Sequence, residues 1–211
     1  MTFNKGIVEA IGTELYSLVE NLSDAQRRNL KQIMSQLWKE ARRGFDNVEV
    51  VYNLSKKSDL LGRKESSMVK LFLYLTLIEG PAVCLIDILV ILLILNGYEL
   101  KFSCKKEIAK PTVEDMKKVS LGRKLTFLKS NGFPYIPIVI DRELRNSIAH
   151  HDFILGDRGE IIINDKQVDI DTKIQEIFRL GKILSNFYDL IILKERPEDE
   201  FIEVLCSILD K

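Results

Sequence analysis

The chain has 211 residues, 46% hydrophobic and 29% charged, a balance that excludes a disordered, collagen-like or low-complexity chain and allows a sizeable core. Thirty-one Lys/Arg against 31 Asp/Glu leave no global field to attract a polyanion, so any such site must be local. The length suits one domain with appendages.

Taken in chain order, Met1 to Glu9 reach an acid before an apolar run of signal-peptide length develops, so no leader is expected. Ile7, Ile11, Leu15, Leu18 and Leu22 recur at the period of an amphipathic helix. Ser23-Asp24 offers an N-cap for a second helix through Leu30, Ile33, Met34, Leu37, Trp38 and Ala41, with Gly44 read as its stop. Val48 to Leu54 is short and β-branched, and strand and helix are equally good readings of it.

Val69 to Leu95 is apolar enough to be mistaken for a membrane span, but Lys70, Glu79, Gly80-Pro81 and Asp87 interrupt it. The unbroken run Ile88 to Leu95 is too short to cross a bilayer, and each mid-span acid costs about 2.5–3.5 kcal/mol on insertion scales. A buried core helix bent at Gly80-Pro81 is expected, with a membrane-associated helical protein as the distant alternative.

A helix is expected over about 112–130, from Pro111-Thr112 to Asn131-Gly132, and another from the Pro137 region through His150. Short apolar stretches and turn clusters then alternate, which predicts a small inserted β-hairpin at about 153–170. Asp171-Thr172 opens a last long helix to about Lys194, and Pro197 starts a short acidic tail helix. The expected layout is a helical extension over 1–62, a helical domain over 63–195 and the tail helix over 196–211.

Charge is uneven along the chain: residues 101–129 carry nine Lys/Arg against three Asp/Glu, and 27–43 carry Arg27, Arg28, Lys31, Lys39, Arg42 and Arg43 against Glu40. Solvated helix faces explain such runs as well as a polyanion site does. Cys84, Cys104 and Cys206 are odd in number and have no zinc-ligand spacing, which fits a reducing cytoplasm and no metal.

The densest chemistry lies in Asp141 to Asp152, which holds both histidines of the chain. On a helix, Arg142, Asn146 and His150 share one stripe, Arg145 lies beside it, and Leu144 and Ile148 form a separate apolar stripe. Arg145 and His150, about 140° apart on a regular helix, converge if the helix ends at His150 or if two chains share the site. An imidazole can take the proton of a ribose 2′-OH near neutral pH, and a guanidinium can fork onto phosphate oxygens as charge builds. Asn146 can orient the imidazole or hold a phosphate oxygen.

Arg145-Asn146-Ser147-Ile148-Ala149-His150 resembles the arginine, four to six residues, histidine signature of the HEPN superfamily (higher eukaryotes and prokaryotes nucleotide-binding). Leu121 to Lys129 leading into Arg142 to Phe153 is similar to an abortive-infection and plasmid branch of it, and the likeness covers roughly residues 65–195. The resemblance implies a mainly α, up-and-down helical bundle, here with added N- and C-terminal helices and the β-hairpin, commonly a homodimer with motif helices face to face. It also implies a metal-independent endoribonuclease without cofactor, with Arg145, Asn146 and His150 as catalytic residues. RNA, contacted by Lys117, Lys118, Arg123 and Lys124, a second copy, and an antitoxin or sensing partner are the expected partners. No membrane is among them.

Glu79, Arg142 and His151 are candidate assisting residues, each with a structural alternative. Glu79 orients Arg145 or Arg142, or is a buried ion pair that fixes packing. Arg142 contacts phosphate or pairs with Asp141 or Glu143. His151 is a second acid or a helix-end histidine satisfying carbonyls. A non-catalytic HEPN module that binds a nucleotide or a protein is the alternative to the nuclease.

Overall fold

The structure, a computed structural model, describes residues 5–57, 60–103, 106–107, 111–189 and 197–209. It is mainly helical with two small antiparallel sheets. The first helix, α1 (Lys5–Glu20), leads to α2 (Asp24–Ser55), whose start is closed by a capping box: Gln26 N donates to Ser23 Oγ, and Ser23 N donates to Gln26 Oε1 at 2.9 Å.

Gly44 is not a stop. α2 runs through it and absorbs the ambiguous 48–54 stretch as helix. A Cβ at Gly44 would stand 2.8 Å from Pro81 N, so the glycine is there to let α2 cross the chain at Gly80-Pro81 with backbones nearly touching. Gly44→Ala is expected to cost about 1–3 kcal/mol by overpacking, read as a lower urea midpoint. An unchanged midpoint would show that the crossing is loose.

The apolar stretch forms α3 (Arg63–Leu77), a π-helical turn (Ile78–Ala82) and α4 (Val83–Leu95). Pro81 supplies no N–H and would clash in a regular helix, and the wider π turn accommodates it where the bend was expected. Arg63–Leu95 is long and apolar enough to cross a membrane, but 78% of its most apolar window is buried inside the protein. α4 is apolar all round because every face is covered, with Leu85 to Ile94 buried throughout.

The helix expected over 112–130 is two, α5 (Val113–Lys118) and α6 (Leu121–Ser130), broken where Val119 turns extended and Ser120 becomes the N-cap. Strands β1 (Lys101–Ser103) and β2 (Lys106–Glu107), which the sequence reading did not anticipate, precede them. α7 (Ile136–Val139) and α8 (Arg142–Ala149) follow, split at Ile140-Asp141 where one helix was expected.

The inserted sheet has the order β3 (Ile154–Leu155), β4 (Ile161–Ile163), β5 (Lys166–Gln167). Asn164 and Asp165 both take positive φ, 49° and 59°, the two-residue hairpin turn such side chains favour. Ser67 Oγ donates to Gly159 O at 2.6 Å and docks the sheet on α3.

α9 (Ile170–Phe187) begins one residue before the expected Asp171, with Asp169 as its N-cap. The last stretch of that expected helix, 190–194, lies outside the described residues, as does Cys104. The tail helix α10 (Glu198–Leu209) packs on α1 and α9. Buried residues from Val8 to Tyr188 form one cluster, so α1 and α2 share the core of the rest. Trp38 of α2 stacks on Tyr188 at 4.7 Å.

Candidate active site

α8 is placed by its ends and its apolar side. Asp141 caps it, accepting from Leu144 N at 3.0 Å, and Tyr74 Oη of α3 donates to Asp141 O at 3.3 Å. Leu144 and Ile148 are buried in the core. This leaves Arg142, Arg145 and Asn146 to line a cleft of about 550 Å3 with residues of α2, the π turn, α4, α5 and α6.

Arg145 is held on two sides. Its Nε and Nη2 fork onto Glu79 Oε1, and its Nη1 donates to Asn146 Oδ1 at 2.9 Å. Glu79 therefore pairs with Arg145, not Arg142. Among the described residues, two of the five guanidinium N–H groups have no acceptor, a geometry suited to an anion in the cleft. Asn146 accepts from Arg145 through its oxygen, which leaves its amide nitrogen as the group that could reach another partner.

Arg142 pairs with neither Asp141 nor Glu143. Its guanidinium lies over Gly122, where a Cβ would stand 2.9 Å from Arg142 Cζ. Gly122 thus lets a cation approach the N-terminal turn of α6.

His150 is the C-cap of α8, so the helix ends where convergence with Arg145 requires it to. Its side chain is exposed at the helix end and is not among the residues lining the cleft. His151 takes φ 60°, with its N–H on Ile148 O at 3.2 Å and the Asp152 N–H on Ser147 O at 2.8 Å. That is a Schellman-type helix end built on a non-glycine residue. Its ring tilts against Phe153 with centroids 6.3 Å apart.

Of the expected RNA contacts, Lys117 lines the cleft, with Nζ 2.9 Å from Glu40 Oε1. Lys118 and Arg123 are exposed outside it. Lys124 is not a surface cation. Its side chain is 3% exposed and its Nζ lies 2.5 Å from Asp87 Oδ1, itself 5% exposed, on the cleft floor. An ammonium so buried must be paired, and Asp87, the acid stranded in the apolar α4, is the partner. Burial pushes the Asp87 carboxyl up, to about 6, while the Lys124 ammonium pulls it down.

The side chains of 101–110, the front of the basic run, lie outside the described residues. Glu40 was not anticipated as a site residue. Its one signal was being the only acid in the basic 27–43 run. Cys84 also lines the cleft; burial, then Asp87, pushes its thiol up to about 11, which leaves it protonated and a poor nucleophile at neutral pH. Among the described residues no cluster of three or more His, Cys, Asp or Glu could hold a metal ion.

No family model, curated protein or solved structure matches the chain.

Proposed function

We propose that the chain is a metal-independent endoribonuclease of the HEPN type. The observation that carries this reading is Arg145, braced by Glu79 and Asn146 in a cation-lined cleft, on the helix that ends at His150. His150 takes the proton of a ribose 2′-OH as O2′ attacks the adjacent phosphorus. The P–O5′ bond breaks, the 5′-oxygen leaves with a proton from water, and the other fragment ends in a 2′,3′-cyclic phosphate. Arg145, with Arg142, offsets the charge that builds on the non-bridging oxygens.

His150 is exposed and outside the cleft lining in one chain, and a dimer would bring a second motif helix to it. Met68, Phe72, Leu75 and Glu79 follow at steps of four, three and four along one face of α3 and the turn after it. Phe72 is 58% exposed and Met68 47%. Met68 and Phe72, exposed on the face that leads past the partly buried Leu75 to the Arg145 partner, form a surface for a second copy to cover. The wider role, a defence or toxin-type effector in the cytoplasm restrained by an antitoxin or sensing partner, follows from the family resemblance alone.

A second reading, the non-catalytic HEPN binding module, is favoured by the absence of His150 from the residues that line the cleft. Mixed RNA incubated with the protein and its His150→Ala variant in EDTA separates the two. The nuclease predicts fragments from the parent protein only; the module predicts intact RNA from both.

A further inference from the structure

Among the described residues, every cation lining the cleft except Arg142 faces a carboxylate of the same cleft: Arg145 faces Glu79, Lys124 faces Asp87 and Lys117 faces Glu40. These pairs are unequal. Lys124 and Asp87 are almost wholly buried, and separating them would strand two charges away from water. Lys117 and Glu40 are 49% and 39% exposed, come from different helices, and meet at 2.9 Å. Glu114, one turn back on α5, stands farther off at 3.7 Å. Water can take over the Glu40 carboxylate as it leaves, so this pair opens at small cost.

We propose that Glu40 is a displaceable counter-anion guarding a second phosphate seat at Lys117, so that the cleft favours two linked phosphates of a single-stranded RNA over lone small anions. This rests on the reading of Arg145 as the first phosphate seat. A free anion arriving at Lys117 exchanges one anion for another and gains little. A phosphate tethered to one already held by Arg145 and Arg142 arrives at high effective concentration and displaces Glu40. Glu40 thereby sets specificity without touching the reacting atoms.

The test is binding of a 2′-O-methyl octanucleotide, which lacks the free 2′-OH and stays intact, to the full chain across a salt series. Glu40→Gln should tighten Kd about two- to fivefold, and inorganic phosphate should compete at lower concentration against it than against the parent protein. Lys117→Ala should weaken binding and reduce the log–log salt slope by about 0.7, one single-strand phosphate contact. The double variant should bind like Lys117→Ala. Unchanged affinity in Glu40→Gln, with RNA still bound and cleaved by the parent protein, would overturn the guard and leave the nuclease standing. Equal tightening by Glu40→Gln with and without Lys117 would also overturn it, since general charge would then be the cause. Failure of all four proteins to bind would overturn both the guard and the RNA reading.

Discussion

His150→Ala is expected to slow RNA cleavage about 10²–10⁴-fold, the usual contribution of a general base, with thermal stability unchanged because the side chain is an exposed helix end. Arg145→Ala should lose about 10²–10³-fold, as removal of one preorganised donor to a developing oxyanion does. Arg145→Lys should not restore the rate, because a lysine cannot engage Glu79, Asn146 and a phosphate at once. His151→Gly is the control. Glycine adopts the φ of 60° without strain, so the fold should gain stability and cleavage should persist. Loss of cleavage in His151→Gly, measured by single-turnover kinetics, would instead give that histidine a chemical role.

The second large effect concerns the cleft floor. Asp87→Leu or Lys124→Met alone is expected to cost about 3–5 kcal/mol, because each leaves the other charge buried and uncompensated. The double variant should recover that loss and match or exceed the parent protein, since an apolar pair needs no desolvation. The pH dependence follows from Asp87. Its carboxyl is raised by burial to about 6, from an ordinary value of 3.8. Between those values the folded protein holds a proton that the unfolded chain has released, so this group lowers stability as pH rises through the window. The advantage of the double variant should therefore be larger at pH 7.5 than at pH 5, measured as urea midpoints. Single variants as stable as the parent would show that the pair is solvated.

Helices whose apolar residues recur at steps of three and four were legible, because burial of one face is what selects them. Gly44 was misread because a glycine that ends a helix and one that admits a crossing backbone look alike without the partner, here Pro81. The break at Val119-Ser120 escaped notice because apolar residues continue across it. β1 and β2 are too short for alternation to show.

At the site, helical spacing put Arg142, Asn146 and His150 on one stripe with Arg145 beside it; Arg142, Arg145 and Asn146 line a common cleft while His150, at the helix end, does not, and the lone acid Glu79 had to find a cation. Lys124 was misassigned for the opposite reason. A lysine in a basic run reads as a surface charge, and only the tertiary placement of Asp87, far upstream on another helix, buries it. Glu40 lay hidden likewise, since its partner Lys117 is on a different helix.

In the proposed nuclease a ribose 2′-oxygen, activated by Arg145 and His150, is the nucleophile. A DNA oligonucleotide carrying a single ribonucleotide, incubated with the protein in EDTA, tests this most directly. One cut is expected, immediately 3′ of the ribose, leaving a 2′,3′-cyclic phosphate, and none with His150→Ala. Cuts at deoxynucleotides, or fragments ending in a 3′-hydroxyl, would contradict it.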